Sequence, residues 1–319
     1  MKELDFLEII NKTLDETTFL GDDCAYLSDL DIFVTQDTLV EDVHFSTYTT
    51  NAYNLGRKAV SVNLSDLAAA IAEPKYITVS VSMPKLTKNS FVENLYKGIN
   101  DVCKEYNVKV IGGDITGSEK IVISITAIGK KISKYLSSRS NAKKDDYIIV
   151  TGNLGVSSVG FYALSNFLFA DEELLNAHLN PTPRIKESKE LAKIINKDIT
   201  VMDTSDGLID ALYKISKASR HSIKIDIEKL PVNKKTKDFC LQNNLDYKNF
   251  AKWGGEDFEL VACVSEEIYS KLDKNLFTYI GKVMNKDNTP CVIIKDNEKE
   301  EKIAQEIFEK KSFDHFNVN

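Results

Sequence analysis

The chain has 319 residues, 43% hydrophobic and 28% charged, an ordinary globular composition but longer than one core usually supports, so two domains are expected. Its formal net charge of −7 argues against nucleic acid or an anionic membrane as the main partner, although bound metal ions could still admit phosphorylated ligands. Five cysteines (Cys24, Cys103, Cys240, Cys263 and Cys291) are odd in number and form no CxxC pair, which suits reduced thiols better than a zinc site or a disulfide framework.

In chain order, "MKELDFLEIINK" carries too many charges for a signal peptide, and no apolar run reaches the ~18–20 residues of a membrane span, so a cytoplasmic protein is expected. "DIFVTQD" reads as a short strand ending at an acid. A helix follows from about Leu55 to Ala72. "YITVSVSM" (76–83) and "IVISITAIG" (121–129) alternate aliphatic with small or polar residues and read as strands. Between them "SFVE" has the form of a capping box, opening a helix with Phe91, Leu95, Ile99, Val102 and Tyr106 on one stripe. The polar, basic segment "SKYLSSRSNAKKDD" lacks periodicity and places a boundary near residue 138, giving domains 1–137 and 138–319. Beyond it, "YIIVTGNLGVSSVGFYAL" and "DITVMDTSDGLIDALYKIS" each read strand, turn, helix. "SIKIDI", "FELVACV", "FTYIGKV" and "CVIIKD" read as strands, and the charged run "KDNEKEEKIAQ" as a solvated turn or surface.

Acids recur where apolar segments end: "LGDDCAYL", "TQDTLV", "NLSDLAAA", "IGGDIT" and "VMDTSDGL". Capping accounts for any one of them alone. It does not account for Asp66, which lies inside a helix of small residues, and a buried carboxylate needs a partner or a cation. Oxygen ligands spread over several segments suit Mg2+, which binds through a few carboxylates and substrate phosphates. There is no GxxxxGK[ST] loop. The glycines of "TGNLGVSSVG" could present N–H groups to an anion, or could merely pack. "WGGEDFELV" allows close backbone approach beside Glu256 and Asp257, or is a hairpin turn with solvated acids. No GxSxG or HExxH motif is present, and of four histidines only His44 lies near these segments in sequence.

With these residues assembled, the sequence resembles the thiamine-monophosphate kinase family, within the wider group that includes aminoimidazole ribonucleotide synthetase. The resemblance runs in order through "GDDCA", "QDTLVEDVHF", "KAVSVNLSDLAAA", "IGGDIT", "SRSNAKKDD", "VTGNLG", "PTPRI", "DTSDGL", "GGEDFEL" and "SFDHF". It implies a mixed α/β (α+β), two-domain aminoimidazole ribonucleotide synthetase-like fold whose N-terminal domain dimerises through its sheet. Strands 76–83 and 121–129 support the homodimer, because their apolar faces exceed what one helix pair covers. The implied reaction is direct in-line transfer of a phosphoryl group from ATP to thiamine monophosphate, giving thiamine diphosphate, with several Mg2+ ions and no nucleophilic side chain.

The resemblance further implies roles residue by residue. Asp23, Thr35, Gln36, Asp37, Asp66, Asp114, Asp203 and Asp206 correspond to metal-binding positions. Tyr96, Gly113, Asp114, Arg139 and Ser205 correspond to ATP contacts, and His44, Glu256 and Phe313 to substrate contacts. Three positions depart from the family pattern. Gln36 replaces the usual Thr, leaving a backbone carbonyl or amide oxygen as ligand. Ile71 replaces a common Gly, which implies altered helix packing. Phe313 keeps a ring without a polar tip. The rival readings are an amidine-forming ATPase of the same group and a non-catalytic Mg-nucleotide-binding module.

Overall fold

The alternation at residues 76–83 belongs to a longer strand in the computed structural model, which describes residues 3–316. The first half runs α1 (Glu3–Thr13), β1 (Ala25–Leu27), β2 (Ile32–Val40), α2 (Ala52–Ala69), β3 (Ala72–Met83), α3 (Asn89–Glu105), β4 (Lys109–Gly117) and β5 (Val122–Lys131). Its sheet has the order β1-β2-β5-β3-β4, antiparallel except between β3 and β4. Ile77, Val79 and Val81 of β3 and Ile123, Ile125 and Ala127 of β5 are fully buried in one core with Leu55, Leu64 and Leu67 of α2 and Leu95 and Ile99 of α3. The opposite face carries hydroxyls, with Thr38 bonded to Ser124 at 2.6 Å and Ser82 to Thr116 at 2.8 Å. The apolar faces are therefore covered within one chain, contrary to the expectation that they exceed it.

What remains open is an edge. All nine residues of β4 are exposed, Ile111 and Ile115 among them. The motif "IGGDIT" lies within this strand, whose uniform exposure leaves no alternation in the sequence to mark it. Gly113 has a structural reason of its own: a Cβ there would lie 1.9 Å from the Val79 carbonyl oxygen across the pair.

Two helix boundaries differ from expectation. α2 stops at Ala69 because Ile71 takes φ +55°, a left-handed conformation that favours glycine, and β3 starts at Ala72. The departure at Ile71 is thus one of backbone conformation more than of helix packing, and full burial of the side chain offsets the strain. The capping box is not used either. α3 starts at Asn89 with Lys88 as an uncapped N-cap, Ser90 lies within the helix, and Glu93 pairs with Lys97 at 2.8 Å.

The second half contains β6 (Tyr147–Thr151), α4 (Val156–Ser165), α5 (Glu172–Leu179), α6 (Ile185–Ile194), β7 (Thr200–Asp203), α7 (Leu208–Ser219), β8 (His221–Asp226), α8 (Lys234–Gln242) and α9 (Tyr247–Trp253). It continues through β9 (Leu260–Val264), α10 (Glu266–Lys271), β10 (Phe277–Lys286), β11 (Val292–Asp296), β12 (Lys299–Ile303) and α11 (Gln305–Lys311). The seven strands order as β12-β11-β8-β10-β6-β9-β7. The central strands are buried on both faces. Ile149, Val201, Leu260 and Ala262 join the core of the first half, while Ile148, Val150, Met202 and Val261 face α7. The charged run near the end is exposed as expected, but it folds as the β11–β12 hairpin at the sheet edge.

The polar segment around residue 138 is pinned to β7. Ser137 Oγ donates to the Val201 carbonyl at 3.1 Å, and Thr200 Oγ1 donates to that of Ser138 at 2.8 Å. Arg139, the next residue, meets the first half, its N–H donating to Asp22 at 2.8 Å and its guanidinium to Asp23 at 2.7 Å.

Candidate active site between the two halves

α2 is apolar almost all round because it lies between the two halves, packed on the first sheet and against α6 and β7. Some of its polar residues bond the first sheet, and Lys58 and Ser65 reach across to the second half. Asp66 accepts from Thr35 Oγ1 on β2 at 2.5 Å, and Ser65 Oγ donates to Asp203 Oδ2 at the end of β7, 2.7 Å away. Asn63 Oδ1 accepts from the backbone N–H of Asp37 at 2.9 Å, which seats β2 on the helix. Asp23, in the bend before β1, completes the group. One carboxylate oxygen each from Asp23, Asp66 and Asp203 lies within 4.8 Å of the others.

Burial and mutual repulsion set the protonation of this group. Burial raises the carboxyls of Asp23, Asp37, Asp66 and Asp203, with neighbouring carboxylates adding to the rise. Asp37 is pushed up to about 6, with Asp206 and Asp23 contributing. Asp203 is pushed up to about 7, and Asp66 well above the carboxylate range. Four acids in one dry place cannot all ionise without cations. One is supplied to the group by a side chain, and a second stands at its edge. Arg139 Nη2 donates to Asp23 at 2.7 Å, and Lys214 Nζ pairs with Asp206 at 2.9 Å and Asp210 at 2.6 Å. Among the described residues Asp66 and Asp203 meet neutral donors only, the hydroxyls of Thr35 and Ser65 and a long N–H from Ser205, so an all-oxygen set with uncompensated charge remains, and it fits a hard divalent cation.

Not every expected ligand joins. Strand alternation turns the Gln36 side chain to the hydroxyl face, where its Oε1 accepts from Thr126 at 2.9 Å, so its amide stands away from the carboxylates. Asp114 lies on exposed β4, three strand spacings or about 14 Å from β2, and does not reach the group within this chain. Tyr96 packs half-buried against the core on α3. Ser205 directs its backbone N–H toward Asp203 Oδ1 at 3.4 Å. The glycine turn before α4 is already filled: Asp257 accepts from the N–H groups of Gly155 at 2.5 Å and Ser157 at 2.9 Å. That turn's anion is the protein's own carboxylate.

The expected substrate contacts gather on a neighbouring surface. His44 Nδ1 accepts the Val40 N–H at 3.0 Å, and its ring lies 5.0 Å from that of His315. His315 meets Phe313 edge-on at 4.7 Å, and the Phe313 side chain is 59% exposed. Glu256 follows two close-packed glycines; a Cβ on Gly254 would lie 2.0 Å from Ser158 Oγ. Burial would raise the Glu256 carboxyl, but Lys58 and His178 hold it down to about 2. The sequence reading missed Lys58, His178, His315 and Lys214. Lys58 had a weaker signal: it lies seven residues before Ser65 and so on the same helix face, whereas its chain-neighbour Arg57 points elsewhere and pairs with Glu105.

Two carboxylate-bearing halves meeting over a buried helix, without a phosphate-binding P-loop, define an ATP-binding protein of the AIR synthase related class. Residues 21–130 match the family described as AIR synthase related protein, N-terminal domain, and residues 143–290 match its C-terminal domain. The chain belongs to the thiamine-monophosphate kinase family within that class. It is 32% identical to the thiamine-monophosphate kinase of Bacillus subtilis (strain 168) over 313 residues, 93% of each chain. It is 37% identical to that of Buchnera aphidicola subsp. Acyrthosiphon pisum (strain APS), covering 96% of this chain and 94% of the relative. Among solved structures, AaThiL complexed with AMPPCP and TMP superposes with a TM-score of 0.84 at 32% identity, over 94% of this chain and 96% of that one.

Proposed function

We propose that this protein transfers the terminal phosphoryl group of ATP to thiamine monophosphate, releasing ADP and thiamine diphosphate. The observation that carries this reading is the convergence of Asp23, Asp37, Asp66 and Asp203 from both halves in a chain that matches thiamine-monophosphate kinases over nearly its whole length. Two anionic substrates can enter an acidic site only alongside metal ions. Asp23, Asp66 and Asp203, with Asp37 and Thr35 beside them and Asp206 at the edge, would hold Mg2+; when bound, it neutralises phosphate oxygens.

The rest of the work falls to the chain. Arg139 has a buried Nε without a hydrogen-bond partner among the described residues, a donor available to a nucleotide phosphate. His44 offers the substrate phosphate a ring whose charged form is disfavoured, first by burial and then by His315. Phe313 offers an exposed aromatic face to a cationic ring. No side chain need act as nucleophile, because a phosphate monoester is already mostly ionised near neutral pH. Rate then comes from alignment and charge neutralisation.

The two domains divide near residue 138. Two copies pair along β4, whose exposed, partly apolar edge invites strand pairing or cover. The described residues contain no helix long and apolar enough to cross a membrane, and a biosynthetic kinase with four buried free cysteines fits the cytoplasm. The test is ADP release by purified protein given ATP and Mg2+, with and without thiamine monophosphate. Release that needs the acceptor supports the kinase; acceptor-independent release favours an ATPase, and no release favours a nucleotide-binding module.

A further inference from the structure

A buried ion pair joins the two halves at the edge of the substrate surface. Lys58 of α2 is buried, with Nζ 2.8 Å from Glu256 Oε1, yet among the described residues its N–H groups meet no acceptor in hydrogen-bonding geometry. The other carboxylate oxygen, Oε2, lies 3.0 Å from His178 Nδ1 on α5. Glu256 keeps 31% of its side chain accessible, so the pair opens to solvent on the glutamate side. The ring of Phe161, on α4 and 53% exposed, stands 5.0 Å from that of His178.

The backbone holds the pair ready. Glu256 sits at φ +63° and Phe258 at φ +51°, both in the left-handed region, and the Glu256 N–H donates to the Ser205 carbonyl at 2.6 Å. That bond ties the glutamate to the loop that follows Asp203. On α2, Lys58 and Ser65 share a face about 10 Å apart along the axis, and Ser65 holds Asp203. Lys58 is therefore the cation next in line from the acidic group along the helix.

Thiamine monophosphate carries a phosphate anion and a cationic ring, the mirror image of this pair. Removing one partner from a buried ion pair strands the other at high cost. A ligand bearing only one of the two charges strands the opposite residue, while a ligand bearing both satisfies each. Resting on the kinase reading above, we propose that Lys58 determines acceptor specificity: the substrate opens the Lys58–Glu256 pair, its phosphate taking the Lys58 ammonium and its cationic ring taking Glu256 Oε1. His178 keeps hold of Oε2 throughout, so the glutamate stays in place.

The test compares wild type, Lys58→Met and Glu256→Gln by steady-state kinetics and by calorimetric binding of thiamine, inorganic phosphate and ATP. Lys58→Met is expected to lower kcat/KM for thiamine monophosphate at least about 100-fold while the ATP dissociation constant stays within about threefold. It should bind thiamine about 10-fold more tightly than wild type, because Glu256 is released to the cation. Glu256→Gln should bind inorganic phosphate more tightly by a similar factor. This reciprocal gain is what a merely structural role cannot produce. Weaker or unchanged thiamine binding by Lys58→Met, or unchanged phosphate binding by Glu256→Gln, overturns the assignment; the second arm decides the matter if Lys58→Met does not fold. Absence of turnover in wild type would count against the kinase reading, while the binding arms still judge the ion-pair exchange.

Discussion

Ser65 of the first half donates its hydroxyl to Asp203 of the second, 2.7 Å away, and this bond crosses the junction where the acids converge. A site divided in this way is complete only when the two halves are docked. The shared core containing Ile149, Val201 and Leu260 keeps them so.

Asp66→Asn retains shape and removes a charge that burial already opposes. Turnover should fall by roughly three orders of magnitude or more, the scale of losing a metal ligand at the reacting centre. Without Mg2+ the variant should melt above wild type, and added Mg2+ should raise its melting temperature less. Calorimetry with and without chelator checks both.

The raised carboxyls fix the sign of a pH effect. Unfolded aspartates lose their protons near an ordinary value of about 3.9, whereas Asp37 and Asp203 keep theirs up to about 6 and about 7. Between these values the folded state binds more protons, so this contribution lowers stability as pH rises from about 4 to about 7 and then levels off. Bound Mg2+ favours the ionised form. The stabilisation by Mg2+ in thermal melts should therefore grow across the same window; an increment independent of pH counts against metal at these acids.

Arg184 grips Glu259 with two N–H groups, Nε to Oε2 at 2.6 Å and Nη2 to Oε1, while Thr151 adds a hydroxyl at 2.6 Å. Glu259 is buried, so Arg184→Met leaves an uncompensated charge inside the second half. A loss of about 3 kcal/mol in urea unfolding is expected. A loss under about 1 kcal/mol would mean that the pair is solvated.

Phe313 meets His315 edge-on, and His315 meets His44. Phe313→Ala should raise KM for thiamine monophosphate by about 1–2 kcal/mol equivalent, the scale of a partly desolvated cation–π contact, and leave KM for ATP nearly unchanged. If both constants rise together, or only the melting temperature falls, the ring merely pins the tail.

Ile115 is 65% exposed on the β4 edge. Sedimentation should show wild type as a dimer at micromolar concentration and Ile115→Lys as a monomer, since a charge at a strand edge blocks pairing. A monomeric wild type contradicts the pairing.

The acids of this site were legible because each interrupts or ends an apolar segment; Asp66 was the clearest, a charge among alanines that capping could not explain. The strand alternation that buried Ile77 and Ile125 was legible for the same reason, a period of two against a covered face. β4 was not, because its strand is exposed throughout and shows no inside or outside. The sequence left open whether Gln36 offers its amide or its backbone carbonyl; strand alternation turns the amide away, which leaves the carbonyl. Lys58 and Glu256 lie far apart in sequence, and a lysine in a helix reads as surface until the second half is docked on it. The filled glycine turn before α4 was ambiguous for a similar reason, since its anion, Asp257, comes from a distant loop.

The most direct measurement follows the phosphorus. Purified protein with ATP, Mg2+ and thiamine monophosphate is monitored by 31P NMR as the γ-phosphate signal of ATP disappears. The account predicts one thiamine diphosphate for each ADP, with no inorganic phosphate and no product when thiamine replaces its monophosphate. Inorganic phosphate accumulating in step with ADP, or ADP formed at the same rate without the acceptor, would contradict it.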